Sequence, residues 1–527
     1  MRHLLAVATL CLSACADPPD GDSTGDDLRA QPNGLDFDLA EASVAQLRDA
    51  YGVGALGVAE AVGFYLDRVE NLDDGFAAVI AVSPEARSEA ARLDSLLAAD
   101  AGSVDRLPLF GVPVWLKDNV EADVELPTTA GARVLAQADS RRDAALTARL
   151  RAAGAVIMGK TNLSEWANFH SSFSSSGYSA VGGQTRNAVD STRSPCGSSS
   201  GSAVAVALGY GPVAIGTETN GSIVCPAHAN GVVGLKPTVG LVSRRGVVPI
   251  AESQDTPGPI TRTVADAAAA LNALQGVDAA DRYTAAAADY VGRDYTASLA
   301  TAEALRGKRL GLYTGPLGEH FRVDTLVEQT VRRLGAAGAE VVRIDEIAPE
   351  PLGRRGLDIL LYEFRDGVDA YLASLPDDAR AGSGGTLASI VERVDASPAD
   401  LRYFDHDLLR QAAAKGPLTD ESYVEARREA TRLMGAEGID RVVAEHDLDA
   451  LIAPTGGPAW KIDLVNGDHF SLGSSTPAAV AGYPNLTVPM GRIEGLPVGL
   501  SFFGPAWSEP ALVELGSAWE DLRGAEW

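Results

Sequence analysis

The chain predicts an α/β fold: one large domain with a central twisted, mixed β-sheet covered by helices on both faces. Two observations carry this. Short runs rich in Val, Ile and Leu alternate along most of the chain with longer segments whose apolar residues recur at helical spacing. Hydrophobic residues make up 46% of the 527 residues, enough for a large core.

The elements follow in order. Val44 to Tyr51 and Val58 to Val69 have helical apolar spacing, Phe76 to Val82 reads as a strand, and Pro84 to Leu97 as an amphipathic helix. Leu107 to Leu116 is an apolar, strand-like run that ends on Lys117, an unusual place for an ammonium because burying one is costly unless it is paired or neutral. Arg142 to Ala153 predicts a helix and Val156 to Gly159 a strand. Lys160 to Glu165 predicts a turn into another helix. Ala203 to Leu208 is too apolar to face water and predicts a buried helix with a hydroxyl cap from the serines before it. Val213 to Gly216 predicts a buried strand. Alternation continues through Val232 to Leu235, Asp266 to Leu274, Arg309 to Tyr313, Val323 to Ala337 and Glu340 to Ile344. Residues 345–445 are mainly helical in pattern and more charged, as in a cap or insertion. Leu448 to Ala453, Leu486 to Pro489 and Val498 to Phe503 return as strands.

The ends and the charge bound the class. Arg2 and His3, an apolar stretch from Leu4 to Leu12, and Leu12-Ser13-Ala14-Cys15 have the layout of a lipoprotein signal over residues 1–14, with Cys15 as the lipid anchor. Residues 15–35, rich in Asp, Pro, Gly and Ser, read as a flexible acidic tether, and 36–527 as the folded domain. An exported, membrane-anchored protein is expected, touching the membrane only through that anchor. A net charge of −27 argues against nucleic acid as a partner. The seven histidines are scattered without ligand spacing, so no metal and no other cofactor is expected. Cys196 and Cys225 are expected as free, packed thiols, a bridge being the alternative that an oxidising compartment would permit.

Two glycine-bracketed loops flank the buried helix and strand: Ser194-Pro195-Cys196-Gly197-Ser198-Ser199-Ser200-Gly201-Ser202 and Gly216-Thr217-Glu218-Thr219-Asn220-Gly221-Ser222. Glycine lets the second loop turn sharply and leaves N–H groups without ladder partners, beside which a serine has ready donors for an oxyanion. Neither loop has the Gly-Lys-Ser/Thr of a phosphate cradle or the spacing of a dinucleotide fingerprint.

These loops, together with Gly111-Val112-Pro113 through Lys117-Asp118, Gly159-Lys160-Thr161-Asn162, Gly231 to Thr238, Gly246-Val247-Val248-Pro249, Gly258-Pro259-Ile260, Ala481 to Pro484 and Gly495 to Leu500, resemble the amidase signature family from about residue 40 to the end. Within it the chain most resembles the bacterial peptide amidases, through Pro195 to Ser202, Gly216 to Thr219 and Ser222 to Pro226. The resemblance implies Ser222 as nucleophile, Ser198 as a bridging serine after a cis Gly197–Ser198 bond, and Lys117 as base. It also implies an oxyanion hole from the N–H groups of Thr219, Asn220, Gly221 and Ser222. Ser199 and Ser200 would support the loop. The family pattern has a glycine where Asn220 stands and an arginine where Val224 stands, and loss of the arginine favours an uncharged amide. The expectation is a monomeric hydrolase that cleaves a carboxamide to acid and ammonia, most of all C-terminal amides of peptides or N-blocked amino-acid amides. Aryl, fatty-acid or glutamine amides are the alternatives within the family. A non-catalytic solute-binding lipoprotein is the alternative outside it.

Overall fold

In the computed structural model, which describes residues 34–524, eleven strands form one sheet. They are β1 (Val79–Val82), β2 (Pro113–Lys117), β3 (Val156–Thr161), β4 (Val213–Glu218), β5 (Val233–Lys236), β6 (Thr256–Thr261), β7 (Arg309–Tyr313), β8 (Glu340–Ile344), β9 (Ala450–Pro454), β10 (Asn485–Ile493) and β11 (Leu496–Phe503). Their order across the sheet is β1-β3-β2-β4-β6-β5-β10-β11-β9-β7-β8. The sheet is mixed. β3, β2 and β4 run parallel, β6 lies antiparallel to β4, and β9, β7 and β8 form a second parallel group.

Alternation along the strands sorts side chains into two cores. Val114 and Leu116 of β2, and Val213 and Ile215 of β4, join the core covered by the Val264–Leu274 and Glu509–Arg523 helices. Trp115 and Ala214 point the other way, into the core built with the Val58–Leu72 and Ser200–Ala207 helices. Helices on both faces leave β2, β3 and β4 wholly buried, which accounts for their near-continuous apolar sequences. Residues 345–445 hold the helices Arg355–Ser374, Leu387–Asp395, Asp407–Ala413, Glu421–Met434 and Arg441–His446. The first three share an apolar cluster with Trp166, Phe169 and Val248 of the sheet domain.

Three local expectations need correction. No α-helix follows Lys160–Glu165: the chain makes only a short 3-10 turn, Glu165–Asn168, in which Trp166 and Ala167 adopt left-handed φ of 52° and 51°. The Ser200–Ala207 helix has no side-chain cap, because the Ser199 hydroxyl instead donates to the Thr217 carbonyl at 3.1 Å. Cys196 and Cys225 are not free thiols but a disulfide, their Cα atoms 5.9 Å apart. The signal, Cys15 and nearly all of the tether lie outside the described residues. Among the described residues no helix is long and apolar enough to cross a membrane.

Phe502 of β11 is fully buried in the larger core. Phe502→Ala is expected to destabilise the domain by about 3–5 kcal/mol, through lost burial and the cavity left behind, read as a lower urea midpoint.

Candidate active site

β2 and β4 are parallel neighbours, so Lys117 at the end of one and Thr217-Glu218 at the end of the other arrive at the same edge of the sheet. That edge, outside the carboxyl ends of parallel strands, is where open α/β sheets bind ligands. Lys117 is fully buried. Its Nζ lies 2.8 Å from Ser198 Oγ, 3.1 Å from the Thr217 carbonyl and 2.9 Å from Thr217 Oγ1. Every one of these partners is a neutral oxygen. Burial holds the Lys117 ammonium down to about 7, with Asp255 and Glu218 pulling weakly the other way.

Ser198 is fully buried and follows a cis Gly197–Ser198 peptide bond. Its loop is pinned by its own hydroxyls. Ser200 Oγ donates to the Cys196 carbonyl at 2.6 Å, and Ser202 Oγ to the Ile215 carbonyl at 3.0 Å. The Ser199 N–H donates to the Ser222 carbonyl at 3.1 Å, which ties the two loops backbone to backbone.

Ser222 sits on the turn after β4, where Gly221 takes a left-handed φ of 84°. Buried Glu218 shapes this turn by accepting the N–H groups of Ile223 at 2.8 Å and Val224 at 3.0 Å. Buried Asp255 accepts the Thr219 hydroxyl at 2.5 Å and the N–H groups of Ile250 and Ala251 at 2.7 and 2.9 Å. Among the described residues the N–H groups of Asn220, Gly221 and Ser222 meet no protein acceptor, and the Ser222 hydroxyl makes no hydrogen bond. The Asn220 side chain is held away from the turn: its Oδ1 accepts from Ser475 Oγ at 2.7 Å, and its Nδ2 donates to Thr476 Oγ1 at 3.2 Å.

A cleft of about 330 Å³ opens over this turn. Gly197, Asn220, Gly221, Val224 and both cysteines line it, with Phe173, Trp460 and Phe470 as an aromatic wall. Among the described residues no Lys or Arg lines it. The carboxyl there, Asp468, accepts from Trp460 Nε1 at 2.9 Å and from the Ser176 N–H and hydroxyl at 3.0 and 2.5 Å. Among the described residues no group of His, Cys, Asp or Glu has the arrangement to hold a metal ion.

Comparison with known proteins agrees with this architecture. The amidase family model matches residues 60–513. The chain belongs to the amidase signature family. It is similar to the native peptide amidase of Stenotrophomonas maltophilia, with 48% identity and a TM-score of 0.84 over 91% of this chain and 96% of that one. An amidase family protein from Bacillus anthracis has 32% identity and a TM-score of 0.81, over 92% of this chain and 91% of that one. A glutamyl-tRNA(Gln) amidotransferase subunit from Nocardia farcinica is 33% identical, over 92% of this chain and 99% of that protein. The chain is therefore an amidase-family hydrolase acting on amides, and the solute-binding alternative is set aside.

The structure brings Lys117, Ser198, Ser199, Ser200 and the Thr219–Ser222 turn to one edge. Sequence reasoning missed Thr217 and Asn119, whose Nδ2 donates to Thr217 Oγ1 at 3.0 Å, along with Glu218 and Asp255. Thr217 and Asn119 were within reach, as polar residues at the ends of two apolar strands. Asp255 and Ser475 carry no such signal, since only the fold brings them to the turn.

Removing the Glu218 carboxylate strands two buried N–H groups. Glu218→Ala is expected to cost about 2–3 kcal/mol of stability, since hydrogen bonds to charged groups are the stronger class, and urea denaturation measures it.

Proposed function

We propose that the protein hydrolyses uncharged carboxamides through Ser222, Ser198 and Lys117, with C-terminal amides of peptides or N-blocked amino-acid amides as substrates. The observation that carries this reading is the environment of Lys117: buried, without a carboxylate partner, and 2.8 Å from the Ser198 hydroxyl. A neutral amine offers two N–H donors and one lone pair. The two Thr217 oxygens take the donors, and the lone pair faces Ser198.

The chemistry follows from that lone pair. Ser222 Oγ attacks the carboxamide carbon while its proton passes to Ser198 Oγ, whose own proton moves to Lys117 Nζ. The oxyanion is received by the free N–H groups of the Asn220–Ser222 turn, with Thr219 beside them, and one such donor is worth about 3–4 kcal/mol in comparable sites. The relay then runs backward, protonating the nitrogen that leaves as ammonia. Water attacks the acyl-enzyme under the same base, and the carboxylate product departs.

The cleft supports the substrate class. Its described lining presents no cation to a free carboxylate, Val224 stands there where the family pattern has arginine, and the aromatic wall suits a peptide side chain. The similar Stenotrophomonas enzyme is a peptide amidase. We also propose export as a lipoprotein anchored at Cys15. The Cys196–Cys225 disulfide supports an oxidising compartment.

Ammonia release is to be compared for a peptide C-terminal amide, free glutamine, malonamic acid and a fatty amide. The peptide amide is expected to turn over fastest, and Ser222→Ala to lose at least about 10⁴-fold in kcat with its fold intact. Faster glutamine or fatty-amide turnover overturns the substrate assignment, and an active Ser222→Ala overturns the nucleophile. The pH profile tests the base. Lys117 accepts a proton only when neutral, so kcat/KM is expected to hold above pH 7 and to fall up to tenfold per unit below about 7. A profile flat down to about pH 5 removes Lys117 from that role.

A further inference from the structure

We infer that the Cys196–Cys225 disulfide is a positioning element of the active site, holding the Ser198 loop against the Ser222 turn, and that a small thiol reagent reaching the cleft switches activity off reversibly. The inference rests on the reading that Ser198 and Ser222 act together.

The bridge spans the two segments that must stay in register. Cys196 immediately precedes the Gly197–Ser198 bond, and Cys225 lies in the first turn of the Val224–Asn230 helix that follows Ser222. Between them the chain runs through the Ser200–Ala207 helix and across the sheet as β4. Hydrogen bonds also join the two segments: Ser199 Oγ donates to the Thr217 carbonyl and accepts the Thr217 N–H, and Ser202 Oγ donates to the Ile215 carbonyl, all three on β4 upstream of the Ser222 turn. The Ser199 N–H reaches the Ser222 carbonyl, and Asn230 Nδ2 bonds both the Pro195 and Pro226 carbonyls at 3.0 and 2.8 Å. No side-chain hydrogen bond ties Ser222 to Ser198 among the described residues.

Cys196 itself takes a left-handed φ of 57°, a region that non-glycine residues rarely occupy and that surrounding structure must enforce. Among the described residues its backbone is held only by Ser194 Oγ, which accepts its N–H at 3.2 Å, and by Ser200 Oγ, which donates to its carbonyl. The bridge is the covalent restraint on this residue. Both cysteines are buried, yet each lines the cleft beside Gly197, Gly221 and Val224, with Trp460 packed against them, so the cleft is the route by which a small thiol meets the bridge. Two thiol–disulfide exchanges with dithiothreitol would leave two thiols on the protein, the reagent being oxidised to its cyclic disulfide. Misplacing a reacting group by about 1 Å is enough to cost about a hundredfold in rate.

The test compares wild type, Ser222→Ala and Cys196→Ala/Cys225→Ala on a peptide amide, with and without dithiothreitol, following thiol count, far-UV circular dichroism, thermal midpoint, kcat and KM. The double variant is expected to keep its fold and lose at least about tenfold in kcat with a much smaller change in KM. Reduction of the wild type to two thiols is expected to give the same loss, reoxidation to restore activity, and the reagent to leave the double variant unchanged. Full kcat in the bridge-free protein, whether or not its thermal midpoint falls, shows a structural staple only and overturns the inference. Should the double variant fail to fold, the reduced wild type decides: kcat lost with the fold retained supports positioning, while loss of the fold overturns it. An active wild type whose kcat ignores the bridge defeats this inference alone. An active Ser222→Ala defeats the underlying reading.

Discussion

The site depends on a desolvated amine with no counter-ion. Moving an ammonium out of water costs several kcal/mol even after the protein relaxes, and a carboxylate at contact distance would restore the charge by pairing with it. At Lys117 that carboxylate is withheld. The nearest atoms are a serine hydroxyl, a threonine hydroxyl and a carbonyl, a set that satisfies a neutral amine and only partly solvates an ion. Lys117 is thus held near the protonation state that the proposed relay through Ser198 requires. The parallel pairing of β2 with β4 supplies Thr217, and the Ser/Gly loop supplies Ser198.

Two other lysines are equally buried and likewise bond only neutral oxygens among the described residues, so the partner that sets Lys117 apart is Ser198. Lys160 on β3 bonds Thr128 Oγ1 at 2.9 Å and the Val120 carbonyl, and Asp118 is the strongest of the negative charges that favour its ammonium. Asp118 in turn accepts the Thr129 N–H and hydroxyl, so this lysine belongs to a network that ties β3 to the strand next to it. Lys236, at the end of β5, donates to the Tyr483 carbonyl at 2.7 Å and fastens β5 to the segment leading into β10. Burial lowers all three, yet only Lys117 among them contacts a serine hydroxyl.

Most of the sheet was legible because buried parallel strands read as unbroken Val/Ile/Leu runs. The catalytic candidates were legible because Ser/Gly loops and a lysine at a strand end contradict that background. β6 was not. Thr256-Pro257-Gly258-Pro259-Ile260-Thr261 carries two prolines, which argue against any central strand. It is tolerated because Pro257 and Pro259 share one parity, so both missing N–H groups face one side, and the ladder to β5 stops at Ile260 before reaching either. Gly258 is needed for a separate reason: a Cβ there would lie 2.1 Å from the Leu235 carbonyl. The disulfide was illegible because cysteine spacing says nothing about whether two loops converge. The missing helix after Lys160 traces to Trp166 and Ala167, whose left-handed backbone no residue type announces.

The carboxylates near the lysine resolve a conflict between two needs. On the proposed mechanism the turn bearing Ser222 must be rigid, yet its N–H groups must stay unused. Glu218 and Asp255 meet both needs by accepting from the flanks of the turn, at Ile223 and Val224 on one side and the Thr219 hydroxyl on the other, so the groups between remain free. Their charges also reach Lys117 and favour its ammonium form. Closer, they would pair with it and remove the base. As placed, they offset part of the desolvation, so the lysine settles at about 7 instead of lower. The anchoring that shapes the Ser222 turn therefore also helps to set the proton affinity of Lys117, the base of the proposed mechanism.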